Sequence, residues 1–217
     1  MTELVLLSNP RVADLPAHEC GEPLVDLREF SELALDDRQA DPAGAYLHLR
    51  AGVVERLLVA QGLLPDGLRL LVVEAYRPLW LQERYFAEYA NALREANPHW
   101  TDTFIHVQAS RYISPPEIAP HVSGAAVDLT LCTDSGEELD MGTEVNASPE
   151  ESHDACYTDA DVPAHAGENR RTLIRALSAA GLVNYPTEWW HWSYGDRYWA
   201  MVTGADAAKY GPQDMRF

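Results

Sequence analysis

No stretch of this 217-residue chain carries the ~20 consecutive apolar residues that a membrane-spanning helix needs. The longest candidates, Leu4 to Leu7 and Leu68 to Val73, are strand-sized. Positive charge is scarce. The 16 Lys and Arg stand against 34 Asp and Glu, a formal net charge of −18. That excess repels phosphate backbones and anionic lipid heads, which speaks against nucleic acid and membranes as partners. Cysteine is also sparse. Cys20, Cys132 and Cys156 are odd in number and widely spaced, unlike a disulfide framework. Met1-Thr2-Glu3-Leu4 lacks the basic start and apolar stretch of a secretory leader. These absences predict a cytoplasmic protein.

Several motifs are missing as well. There is no G-x-G-x-x-G, no G-x-x-x-x-G-K, no G-x-S-x-G and no H-E-x-x-H. Dinucleotide enzymes, phosphate-loop hydrolases, elbow-type serine hydrolases and helical zinc proteases lose support accordingly. An apolar share of 47% excludes a disordered chain. The length predicts one domain over residues 1–217, with a core that needs no staples.

Residues 1–23 are expected to form an N-terminal extension, and Leu24-Val25-Asp26-Leu27 a short strand. Apolar residues at helical spacing predict a helix over 47–61, closed by Gly62 and Pro65. Leu68 to Glu74 predicts a buried strand, ended by Arg77-Pro78. Leu81, Tyr85, Tyr89 and Leu93 predict a helix over 79–96, stopped by Asn97-Pro98. A short helix over 102–112 and a strand over 125–131 follow. Residues 133–167 are acidic and rich in breakers, and predict a long functional or mobile loop. A helix over 167–180 ends at Gly181. Residues 188–193 and 197–203 flank Tyr194-Gly195-Asp196 and predict a closing hairpin. The expected class is α+β, a central antiparallel sheet flanked by helices.

Two short clusters can carry chemistry. The first is His121-Val122-Ser123-Gly124-Ala125-Ala126-Val127-Asp128, and the second is Glu188-Trp189-Trp190-His191-Trp192. Catalytic zinc usually takes three protein ligands of the His and Asp/Glu kind and keeps a position for water. Two His and one Asp meet that count, and the spare Glu could serve as base. Gly124-Ala125-Ala126 lets the chain turn into a strand beside a metal without crowding it. On a regular strand Glu188 and His191 face opposite ways. They share a metal only if the chain bends between them or if Glu188 precedes the strand. Taken singly, each His is as well explained as a surface or satisfied core residue, and the tryptophans as core aromatics. Arg77, at the end of an apolar strand, has two roles open to it. It can pair with Glu74, or it can face the oxyanion formed when water attacks a peptide carbonyl.

Glu74-Ala75-Tyr76-Arg77-Pro78, His121-x-x-Gly124-x-Ala126-x-Asp128 and Glu188-Trp189-Trp190-His191 stand in a familiar order and spacing. Together with Leu24-Val25-Asp26-Leu27-Arg28 and the tail Trp192 to Ala200, they resemble the D-alanyl-D-alanine dipeptidase family, the zinc enzymes of the vancomycin-resistance type. The likeness spans roughly residues 24–212. The resemblance implies one Zn2+ per chain held by His121, Asp128 and His191, with Glu188 as general base and Arg77 stabilising the tetrahedral intermediate. It implies a free dipeptide as substrate, a cytoplasmic location, and a fold shared with cell-wall carboxypeptidases and the hedgehog signalling domain. Asn146 and Ser123 are the expected substrate contacts. The chain departs from the family at two places. Ala119 replaces a Ser two residues before the first His. Asn146 replaces an Asp in Met141-Gly142-Thr143-Glu144-Val145-Asn146, leaving Glu144 as a carboxylate that could compensate. A related carboxypeptidase or amidase on cell-wall or specialised-metabolite peptides is the alternative enzyme. A zinc-stabilised binding module without turnover is the alternative from another class.

Overall fold

The structure is a computed structural model that describes residues 4–215; Met1 to Glu3, the start of the expected extension, lie outside the described residues. The chain runs α1 (Pro10–Ala13), β1 (Leu24–Asp26), β2 (Ala34–Leu35), β3 (His48–Arg50), α2 (Ala51–Gln61), β4 (Leu68–Glu74) and α3 (Leu79–Ala96). It continues through α4 (Asp102–Ala109), β5 (Ala126–Thr133), α5 (Pro149–Ser152), α6 (Ala164–Ala179), β6 (Val183–Asn184), β7 (His191–Ser193) and α7 (Arg197–Thr203). The class is α+β.

β4 and β5 are apolar on both faces because both faces are covered, and they form the middle of a five-stranded sheet ordered β2-β4-β5-β7-β6. The β4–β5, β5–β7 and β6–β7 pairs are antiparallel, while the edge strand β2 runs parallel to β4. Leu70, Val72, Leu129, Leu131 and the α2 and α6 residues Leu57, Leu173 and Leu177 belong to the largest apolar cluster. The register decides where chemistry can occur. Glu74 pairs with Asp128, and Asp128 pairs with His191, so three polar side chains lie abreast at one end of an apolar sheet. A register shift between Val72 and Glu74 marks the end of regular β4 pairing there.

Two expected elements differ. The helix expected over 47–61 begins at Ala51, because His48–Arg50 is extended and pairs antiparallel with Leu24–Asp26. Arg50 is the reason. Its buried guanidinium binds Glu19, the Ser123 carbonyl at 2.7 Å and the Gly211 carbonyl at 3.1 Å, tying both ends of the chain to the turn after His121. The second strand of the expected hairpin is a helix, α7. Asp196 caps it, accepting from the Trp199 N–H at 2.8 Å, and Gly204 closes it in the left-handed conformation. β7 takes β5 and β6 as its partners instead. The described part of this segment, residues 4–23, docks rather than trails. Val5, Leu7 and Val12 pack with Tyr185 and Tyr198.

The long acidic segment is shorter than expected, since α6 starts at Ala164. It is held from below by Arg170 of α6. That buried guanidinium donates to the carbonyls of Met141 (2.7 Å), Tyr157 (2.7 Å) and Ala155 (2.8 Å). Arg170→Met orphans all three carbonyls, and we expect a loss of about 2–4 kcal/mol of unfolding free energy in urea titrations. An unchanged midpoint would contradict the clamp.

Candidate active site

His121 sits in a 3-10 turn, Pro120–Ser123, that ends at Gly124 in the left-handed conformation, φ +65°. A Cβ at Gly124 would come within 2.2 Å of Leu24 Cδ2, so both backbone and packing demand glycine there. The His121 Nδ1–H donates to the Ala75 carbonyl at 2.6 Å, which leaves the Nε2 lone pair pointing inward. His191 Nδ1 lies 3.2 Å from that Nε2 and 2.9 Å from Asp128 Oδ1. Asp128 Oδ2 is 3.3 Å from His121 Nε2. One donor atom from each of the three residues falls within 4.8 Å of the other two, and all three side chains are buried. Glu188 precedes β7 in a turn, and its Oε2 lies 3.7 Å from His191 Nδ1. Of the two ways in which Glu188 and His191 could share a face, the chain takes the second.

Burial works against a charge on Asp128, but the charge and hydrogen bonds of His121 and His191 more than offset it and hold the carboxyl below its ordinary range. Glu188 goes the other way. Burial, joined by the charge of Asp128, pushes its carboxyl well above the ordinary range against the pull of Arg77. The two neighbouring carboxyls are thus driven in opposite directions. Of the two roles left open for Arg77, the pair with Glu74 is formed. Its Nε donates to Glu74 Oε1 at 2.8 Å, its Nη2 to Glu74 Oε2, and its Nη1 to Gln82 Oε1 at 2.8 Å. Burial disfavours the cation, and Glu74 restores it, so the guanidinium stays charged. One N–H on each terminal nitrogen remains uncommitted.

Glu74, Arg77, His121, Asp128, Glu188 and His191 line a cavity of about 400 Å³, with Asn146 on its wall. Ser123 does not line it, which corrects the expected substrate contact: its hydroxyl donates to the Pro120 carbonyl at 2.7 Å, closing the turn that carries His121. Glu144 does not compensate for Asn146 either. It is exposed and lines a separate hollow with residues 138–143. Ala119 is buried at the start of the 3-10 turn.

Residues 36–205 match the peptidase family described as D-Ala-D-Ala dipeptidase. The chain belongs to the D-Ala-D-Ala dipeptidase family. It is 30% identical to the D-alanyl-D-alanine dipeptidase of Synechocystis sp. (strain ATCC 27184 / PCC 6803 / Kazusa), over 86% of this chain and 87% of that enzyme. It is 32% identical to the enzyme of the same name from Escherichia coli (strain K12), over 58% of this chain and 55% of that one. Among solved structures, VanYB in complex with D-alanine-D-alanine matches at a TM-score of 0.44 with 17% identity, covering 77% of this chain and 86% of that one. The LdcB LD-carboxypeptidase matches at a TM-score of 0.48 with 14% identity, covering 96% and 88%. The family is one of zinc metallopeptidases, and its matched region takes in both histidine segments.

Sequence reasoning missed part of this family member's cavity wall. Tyr85, Tyr89, Tyr112, Ile113 and Ser114 line it. A signal was present in the i, i+4 stripe of α3, where Leu81 and Leu93 are buried and Tyr85 and Tyr89 are only half-buried. Gln82, the second holder of Arg77, had no signal beyond its place one turn after Pro78.

Proposed function

We propose that the chain is a zinc-dependent dipeptidase acting on small free dipeptides of the D-Ala-D-Ala type. The observation that carries the proposal is the convergence of His121 Nε2, an Asp128 oxygen and His191 Nδ1 within 4.8 Å. Two neutral imidazoles and one carboxylate are a three-ligand catalytic zinc set, and the His121–Ala75 hydrogen bond supplies the outer support such ligands use. Zinc in that position supplies Lewis acidity and a lowered pKa for water. Glu188 takes the proton of the attacking water and passes it to the leaving amine. Arg77, aimed by Glu74 and Gln82, presents its uncommitted N–H groups to the developing oxyanion. Asn146 meets the substrate on the cavity wall through an amide, which accepts or donates a hydrogen bond without charge.

That neutral amide is also what favours the second reading, a carboxypeptidase or amidase on N-blocked cell-wall or specialised-metabolite peptides. Mass spectrometry of products from D-Ala-D-Ala and from N-acetyl-D-Ala-D-Ala, each with the zinc-loaded protein, separates the two. Release of alanine from the free dipeptide at the higher kcat/KM is expected. Preference for the blocked peptide would replace the dipeptidase with the carboxypeptidase. We place the protein in the cytoplasm within this proposal, supported by its three unpaired cysteines. Among the described residues, no helix is long and apolar enough to cross a membrane.

A further inference from the structure

The cavity is larger and more aromatic than two alanine side chains require. Its volume of about 400 Å³ lies in the range of sites that enclose drug-sized ligands. A wall of three tyrosines shares the cavity with the two histidines. Tyr85 and Tyr89 come from successive turns of α3, and Tyr112 follows α4. The wall is fixed in place. Tyr89 and Tyr112 pack edge to face with ring centroids 5.0 Å apart. The Tyr89 hydroxyl donates to Glu150 at 2.5 Å, and the Tyr112 hydroxyl donates to the Asn146 carbonyl at 2.5 Å. With both hydroxyls committed to protein oxygens, these two side chains are left to offer ring carbon to a ligand. The wall also starts beside the reacting centre: the Arg77 guanidinium carbon lies 5.1 Å from the Tyr85 ring centroid. A side chain next to the scissile bond therefore reaches it.

We propose that Tyr85, Tyr89, Tyr112 and Ile113 form a subsite for an apolar side chain larger than methyl, so that the preferred substrates are dipeptides with one bulky apolar residue. This rests on the dipeptidase function proposed above. Rigid rings cost little entropy on binding, and each extra methylene buried in such a pocket raises discrimination by about 10-fold or more. Glu88 stands at the same cavity, but its carboxylate faces Arg84 at 3.7 Å, which weakens it as a partner for a cationic side chain.

The test is kcat/KM of the zinc-loaded protein for Ala-Ala and for dipeptides in which either Ala is replaced by Leu, Phe or Lys, in both configurations. A Leu or Phe dipeptide cleaved about 10-fold or more faster than Ala-Ala is expected. Two variants read the wall directly. Tyr89→Ala removes a ring, and Ser114→Leu adds bulk at another residue that lines the cavity. Each should lower the ratio of bulky to Ala-Ala kcat/KM by about 10-fold. Ala-Ala cleaved as well as every bulky dipeptide, a preference for Lys, or ratios unmoved by both variants would overturn the subsite while leaving the dipeptidase standing. No cleavage of any dipeptide would overturn the dipeptidase itself, and the subsite with it.

Discussion

Glu188→Gln should lower kcat by about 10²–10⁴-fold while zinc content stays near that of the parent protein. The substitution keeps the shape of the side chain and removes only its ability to take a proton. Glu188 is buried, lies 3.7 Å from His191 Nδ1, and has its carboxyl pushed upward by burial and by Asp128. The carboxylate is the working form. Activity in the parent should therefore fall as pH drops and Glu188 takes up a proton. In Glu188→Gln that acid limb should vanish. Elemental analysis and a pH profile of kcat/KM check both halves. A fully active variant would remove Glu188 from the mechanism.

Arg77→Met should damage stability and turnover together, for separable reasons. Glu74 is 2% exposed, and Arg77 is its only cationic partner among the described contacts. Removing one member of a buried pair leaves an uncompensated charge, at a cost of about 3–5 kcal/mol. Removing a donor aimed at an oxyanion costs roughly 10²–10³ in kcat. The double substitution Glu74→Gln with Arg77→Met separates the two. It relieves the orphaned carboxylate, so urea midpoints should recover much of the loss, whereas kcat should not recover. Recovery of kcat along with stability would reduce Arg77 to a structural ion pair.

β4 and α3 were legible in the sequence to their ends, because a mostly apolar run followed by Arg77-Pro78 and an i, i+4 stripe bounded by Asn97-Pro98 admit few alternatives. His121, Asp128, Glu188 and His191 stood out as a donor set by residue type and order. Their convergence was not legible from spacing, since it depends on the Glu74–Asp128–His191 register across three strands. Local cues failed where distant contacts decide. His48–Arg50 looks helical from its apolar neighbours, and Arg50 makes it a strand by binding Glu19 and Gly211. Tyr194-Gly195-Asp196 looks like a hairpin turn, but Asp196 acts as a helix cap. Ser123 lies two residues from a metal-type histidine, yet its hydroxyl is spent on the turn that holds that histidine. The tyrosine wall joins Tyr85 and Tyr89 of α3, which share a local stripe, to Tyr112 after α4, which no local pattern ties to them.

The most direct test is zinc stoichiometry by elemental analysis, read with activity, for the parent protein and for His121→Ala and His191→Ala. The parent should carry about one zinc per chain, lose turnover on exhaustive chelation and regain it when zinc is restored, while each variant should lose both metal and turnover. Full turnover by the chelated parent, or by a variant that binds no metal, would contradict a zinc centre built on these two imidazoles and Asp128.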